Sequence, residues 1–98
     1  MMIIELAMIV ENKIRNRLET VCQIREADDC YYVSAVTPEG WFAAHPPYRV
    51  SKDGEIEGYM SKCEESKFDE AKLVYDIPYL NQPERIFKIL DEVKQSKS

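Results

Sequence analysis

Glycine is scarce in this chain, histidine occurs once and cysteine is odd in number: three glycines, one histidine and three cysteines among 98 residues. Each shortage excludes something. Gly40, Gly54 and Gly58 fall at turns or within a strand, so there is no glycine-rich cradle for a phosphate. With His45 as the sole imidazole, any Cys–His or Ser–His pair has to use it. Cys22, Cys30 and Cys63 lack the close pairing of structural zinc ligands, the nearest two being eight apart, so neither a metal nor any other cofactor is expected. The apolar opening is interrupted by Glu5, has no basic residue before it and is too short to span a bilayer. Free thiols and no membrane segment together read as a cytoplasmic protein.

A basic excess is missing as well. The net charge of −5 disfavours a nucleic-acid partner, because phosphate neutralisation needs a basic face. The negative charge is concentrated. Residues 53–76 carry eight acidic side chains against three lysines, a net of −5, whereas residues 1–52 and 77–98 come to −1 and +1. An acidic surface of this kind suits a basic protein partner.

What is present supports one packed domain spanning residues 1–98, with 45% hydrophobic and 10% aromatic residues. Ile3, Ala7, Val10, Ile14, Leu18 and Val21 recur at helical spacing, which predicts a helix from about Met2 to Glu19. Met2, Leu6 and Ile9 widen its apolar face, leaving a surface through which two copies could pair as a homodimer. Strands are expected at Thr20–Arg25 and at Cys30–Val36, the latter two tyrosines and two valines without a breaker. Thr37-Pro38-Glu39-Gly40 fits a type I turn, and Trp41–Ala44 should return beside the preceding strand. His45-Pro46-Pro47 breaks the ladder, since neither proline can donate a hydrogen bond. Tyr48–Ser51 and Glu55–Met60 form a hairpin around Lys52-Asp53-Gly54.

Residues 61–76 read as a loop and one short helix, with Phe68, Ala71 and Tyr75 on one face, although Leu73-Val74-Tyr75 suits a strand equally well. Asn81, Pro83 and Glu84 open a closing helix carrying Ile86, Ile89, Leu90 and Val93. The expected class is therefore α+β: an N-terminal helix on an antiparallel meander of about four strands, with a C-terminal helix. A cystatin-like helix wrapped by four strands has the same element order.

Chemistry is hard to place. Glu64 and Glu65 follow Cys63 and disfavour its thiolate. The carboxylates of residues 53–76 lie in a run too polar for an apolar acid–base pocket. A non-enzymatic reading results, with His45 as base the enzymatic alternative. The segment Trp41, Phe42, His45, Pro46, Pro47 and Tyr48 is rich in interface-type anchors, and Glu55, Glu57, Glu64 and Glu65 follow it as a charged flank. These residues form the candidate interface. The other reading has the aromatic residues filling a thin core and the acids solvating the domain.

Pro47-Tyr48-Arg49-Val50-Ser51-Lys52-Asp53-Gly54-Glu55-Ile56 resembles the proline–aromatic–x–valine–x–lysine–acidic–glycine–glutamate hairpin of small bacterial toxin-immunity domains and a related heat-shock-associated family. The resemblance implies a small α+β protein that binds and blocks a partner without catalysis, and it transfers no functional residue.

Overall fold

The computed structural model describes residues 2–37 and 44–77. In chain order these form helix α1 (Ile3–Ile14), a 3-10 turn (Arg15–Arg17), strands β1 (Thr20–Glu26), β2 (Cys30–Val36), β3 (Tyr48–Ser51) and β4 (Ile56–Tyr59), a second 3-10 turn (Lys62–Glu64), helix α2 (Glu65–Glu70) and strand β5 (Lys72–Asp76). The strands make one antiparallel sheet in the order β4-β3-β2-β1-β5. The class is the expected α+β, with five strands instead of about four.

The fifth strand settles the ambiguity over residues 61–76. Leu73, Val74 and Tyr75 are extended and pair with β1, so the acidic stretch holds a short helix and a strand. Phe68 and Ala71 pack beneath Tyr32 and Cys30, whereas Tyr75 joins the core on the other side of the sheet. The expected closing helix at residues 81–94 lies outside the described residues, as do the turn at Pro38–Gly40 and Trp41, Phe42 and Ala43 of the expected return strand. Ala44 lies in a bend.

Strand alternation divides the sheet into two faces. Leu6, Ala7, Val10 and Ile14 of α1 bury against Val21, Ile24, Tyr31, Val33, Ala35, Tyr48 and Val50. The helix lies over β1 with its flank on β5. The opposite face presents Cys30, Tyr32 and Arg49, which α2 and its preceding turn cover. A β-bulge between Val21 and Gln23 adjusts β1, where simple alternation would set Val21 and Ile24 on opposite faces. The extra residue brings both onto the α1 face, and Cys22 donates its thiol to the Ser34 carbonyl at 3.4 Å. Burial pushes the Cys22 thiol up to about 12, with Asp76 adding to it.

The first helix ends five residues earlier than its apolar spacing suggests. After Ile14 the chain tightens into the 3-10 turn, and Leu18 then adopts the left-handed conformation at φ 58. That position is ordinarily taken by glycine, because a Cβ there crowds the following carbonyl. Leu18 occupies it with its side chain 69% exposed. The turn sends Glu19 inward and starts β1. Gly54, by contrast, supplies the left-handed residue of the β3–β4 hairpin at φ 88, as the Lys52-Asp53-Gly54 motif requires.

Leu18→Gly relieves a left-handed cost of roughly 1–2 kcal/mol and adds an unfolded-state entropy cost of about 0.5–1 kcal/mol. The expected net gain is about 0.5 kcal/mol, read as a raised urea midpoint at unchanged m value. A lowered midpoint would mean that the leucine side chain holds the turn in place.

Candidate functional site

Five side chains converge at the sheet end where β1 begins and β4 ends. Glu19, just past the left-handed turn, is almost fully buried. One of its carboxylate oxygens accepts a hydrogen bond from the Tyr48 hydroxyl, and the other meets His45 Nε2 at 2.6 Å. His45 Nδ1 faces the Pro46 carbonyl oxygen at 2.7 Å, and since that oxygen only accepts, the ring donates to it. Both imidazole nitrogens are thereby engaged within the chain. The ring stacks on Tyr59 at 4.7 Å between centroids and meets Tyr48 edge-on at 4.8 Å. Arg17 completes the group, donating from one guanidinium nitrogen to the hydroxyls of Tyr59 at 3.1 Å and Tyr48 at 3.4 Å.

Local sequence explains this convergence. Tyr48 and Tyr59 are register partners on β3 and β4, so their rings share the α1 face. Pro47 has no N–H to give, but its carbonyl accepts from Met60 and closes the ladder there. Pro46-Pro47 holds His45 against the strand end, and the Leu18 turn brings Glu19 to it. A carboxylate this buried requires polar partners: the phenol donates to one oxygen and the His45 ring lies against the other. Burial and the Glu19 hydrogen bond both drive the Tyr48 hydroxyl well above the usual phenol range.

A second polar network ties α2 to the opposite face. Glu64 accepts from the Tyr32 hydroxyl at 2.7 Å and from Arg49, and it reaches back to the Ser61 backbone N–H at 3.3 Å as the partner of a capping box. Arg49 also contacts Glu57 at 3.2 Å and Asp29 at 3.5 Å. The Tyr32 hydrogen bond, followed by those from Ser61 and Arg49, pulls the Glu64 carboxyl down to about 2. Asp29 is lowered too, chiefly by Lys67.

The candidate interface residues are thus dispersed. Tyr48 is 1% exposed and belongs to the core. His45 is largely enclosed by its two tyrosines and Glu19. Glu55 is exposed but paired with Lys13 at 3.0 Å, Glu57 holds Arg49, and Glu64 is a strut between sheet and α2. Glu65 is exposed on α2. Trp41 and Phe42 lie outside the described residues. The acids of α2 therefore face away from the His45 and Tyr59 rings, with the sheet between them. Adjacency along the chain suggested one continuous surface, and the odd–even alternation of β3 separates it into two.

Missed by sequence reasoning are Arg17, Leu18, Glu19 and Tyr59. The available signal was weak: a helix without glycine at its end needs some other residue to turn the chain. Among the described residues no His, Cys, Asp and Glu group is arranged to hold a metal, and no helix is long and apolar enough to cross a membrane. Of the thiols, Cys22 and Cys30 are buried and Cys63 is exposed. No protein-family model matches the chain, and no curated protein or solved structure is significantly similar to it.

Glu19→Ala should lower stability by about 2 kcal/mol, because it strips the acceptor from the buried Tyr48 hydroxyl. Tyr48→Phe should cost about 1 kcal/mol, and the double variant less than the two combined. Denaturant titration of the three proteins reads this coupling; strict additivity would show that the two groups do not interact.

The Glu64 carboxyl has a lower pKa folded than unfolded, so its contribution is present above its ordinary value of 4.5 and is lost as pH falls towards about 2. The stability gap between the wild type and Glu64→Gln should accordingly be widest at neutral pH and close across that acidic window. A gap independent of pH would contradict the assigned network.

Proposed function

We propose that this chain is a small acidic, non-catalytic protein-binding module that docks through the surface formed by Leu18, Tyr59 and Arg17. The immunity-like or inhibitory role implied by its hairpin is the kind of activity such a module performs. The carrying observation is Leu18. A 69% exposed leucine in a left-handed conformation loses stability twice, through strain and through hydration of its side chain. Arg17, the residue before Leu18, bonds to Tyr59, which is 47% exposed and whose ring also stacks on His45. A half-exposed tyrosine bonded to an exposed arginine is the composition of an interface anchor.

Engagement of both His45 nitrogens favours binding over catalysis at this corner. A general base needs a ring nitrogen free to take a proton from substrate, and here one nitrogen donates to Pro46 while the other is against Glu19. His45 and Glu19 act as the foundation that fixes Tyr59.

The test compares co-purification from the native host with wild-type, Leu18→Asp, Tyr59→Ser and Glu65→Lys baits, each first checked for an unchanged melting transition. Protein recovered in stoichiometric amount by the wild type and the α2 variant, but lost from both corner variants, is the expected outcome. Equal recovery by all four would refute the assigned surface.

A further inference from the structure

Resting on that reading of the corner, we infer that its partner offers a carboxylate side chain flanked by apolar residues, received by Arg17 together with Leu18 and Tyr59. The chain as a whole is acidic, so the expectation from net charge alone is a basic partner. The local arrangement is the reverse. Arg17 is solvent-exposed, and its guanidinium is held from one nitrogen by two neutral phenol oxygens. Those contacts fix its orientation without neutralising it. Among the described residues no partner meets the other guanidinium nitrogens of this exposed side chain, and a guanidinium pairs with a carboxylate through two parallel N–H groups.

The nearest acid, Glu19, acts on the Arg17 charge through space but makes no direct contact with it among the described residues. Glu19 is buried, with one oxygen on Tyr48 and the other on His45. Lys13 and Glu55 pair with each other, whereas Arg17 has no carboxylate partner among the described residues. The exposed acids Glu65, Asp69 and Glu70 lie on α2, across the sheet. An acidic partner can therefore approach the α1 side while the strongest negative surface points away from it. Leu18 adjoins Arg17 in sequence and Tyr59 is bonded to it, and both are exposed, so apolar surface is available to an aliphatic side chain next to the incoming carboxylate.

The experiment is an amide and ring-proton NMR titration of the full chain with four capped pentapeptides: Gly-Leu-Glu-Leu-Gly, the same peptide with Gln or with Lys in place of Glu, and Gly-Gly-Glu-Gly-Gly. The first should move the Leu18 and Tyr59 signals and bind about tenfold more tightly than the Gln or the all-glycine-flanked peptide, with the Lys peptide weakest. Its affinity should fall with added salt and fall about tenfold on Arg17→Met, a change that retains the side-chain stem. Equal binding of the Glu, Gln and Lys peptides, or insensitivity of the Glu peptide to both salt and Arg17→Met, would overturn the inference. Should the natural partner be lost on Leu18→Asp while no peptide shows preference for Glu, the corner still binds and only its carboxylate chemistry is wrong. No peptide response together with unchanged partner recovery would remove both.

Discussion

Three consecutive residues of β3 organise the molecule. Tyr48 and Val50 point to α1 and Arg49 points to α2, and the pleat allows no other arrangement once the register with β2 and β4 is set. From that alternation two unlike layers follow. On one face an apolar helix buries aliphatic and aromatic side chains. On the other, a six-residue helix too short to supply much apolar area is held by Phe68 and Ala71 and by the charged network of Glu64, Arg49, Tyr32 and Asp29. The acidic stretch is thus in part structural: its carboxylates secure a short element that hydrophobic burial alone would hold weakly.

Against this frame the Glu19 cluster occupies the corner where the helix hands over to the sheet. Leu18 accepts a strained conformation, Glu19 turns inward, and Tyr48 and His45 satisfy its two oxygens. The burial of a carboxylate would be costly without these partners, and the left-handed leucine would be avoidable with glycine in its place. Both local sacrifices converge on the same surface, the one presenting Leu18, Tyr59 and Arg17. The proposed docking surface thus coincides with the strained and desolvated corner of the fold.

How much of this was legible in the sequence depends on the range of the signal. β2 and β3 were readable to the residue, because a β-branched and aromatic run without breakers admits no helical reading, and Lys52-Asp53-Gly54 marked the hairpin by its need for φ above zero. The bulge in β1 was invisible, since nothing in Val21-Cys22-Gln23 distinguishes two residues facing one partner from regular alternation. The end of α1 was misplaced because Leu18 continues the apolar spacing while leaving the helix. Leu73–Tyr75 stayed ambiguous because periodicity cannot separate a short strand from a helix end; pairing with β1 decided it. The polar clusters were beyond reach altogether. Glu19 meets His45 across 26 positions and Tyr32 meets Glu64 across 32, and neither contact leaves a trace in local composition.

Separation of the ring corner from the acidic helix is the claim on which the functional account stands, and proton–proton NOEs test it without any partner in hand. Cross-peaks should connect the Tyr59 ring with those of Tyr48 and His45, and the Phe68 ring with Tyr32, while Tyr59 and Phe68 share none. A direct Tyr59–Phe68 cross-peak would place both on one surface and contradict the two-faced arrangement.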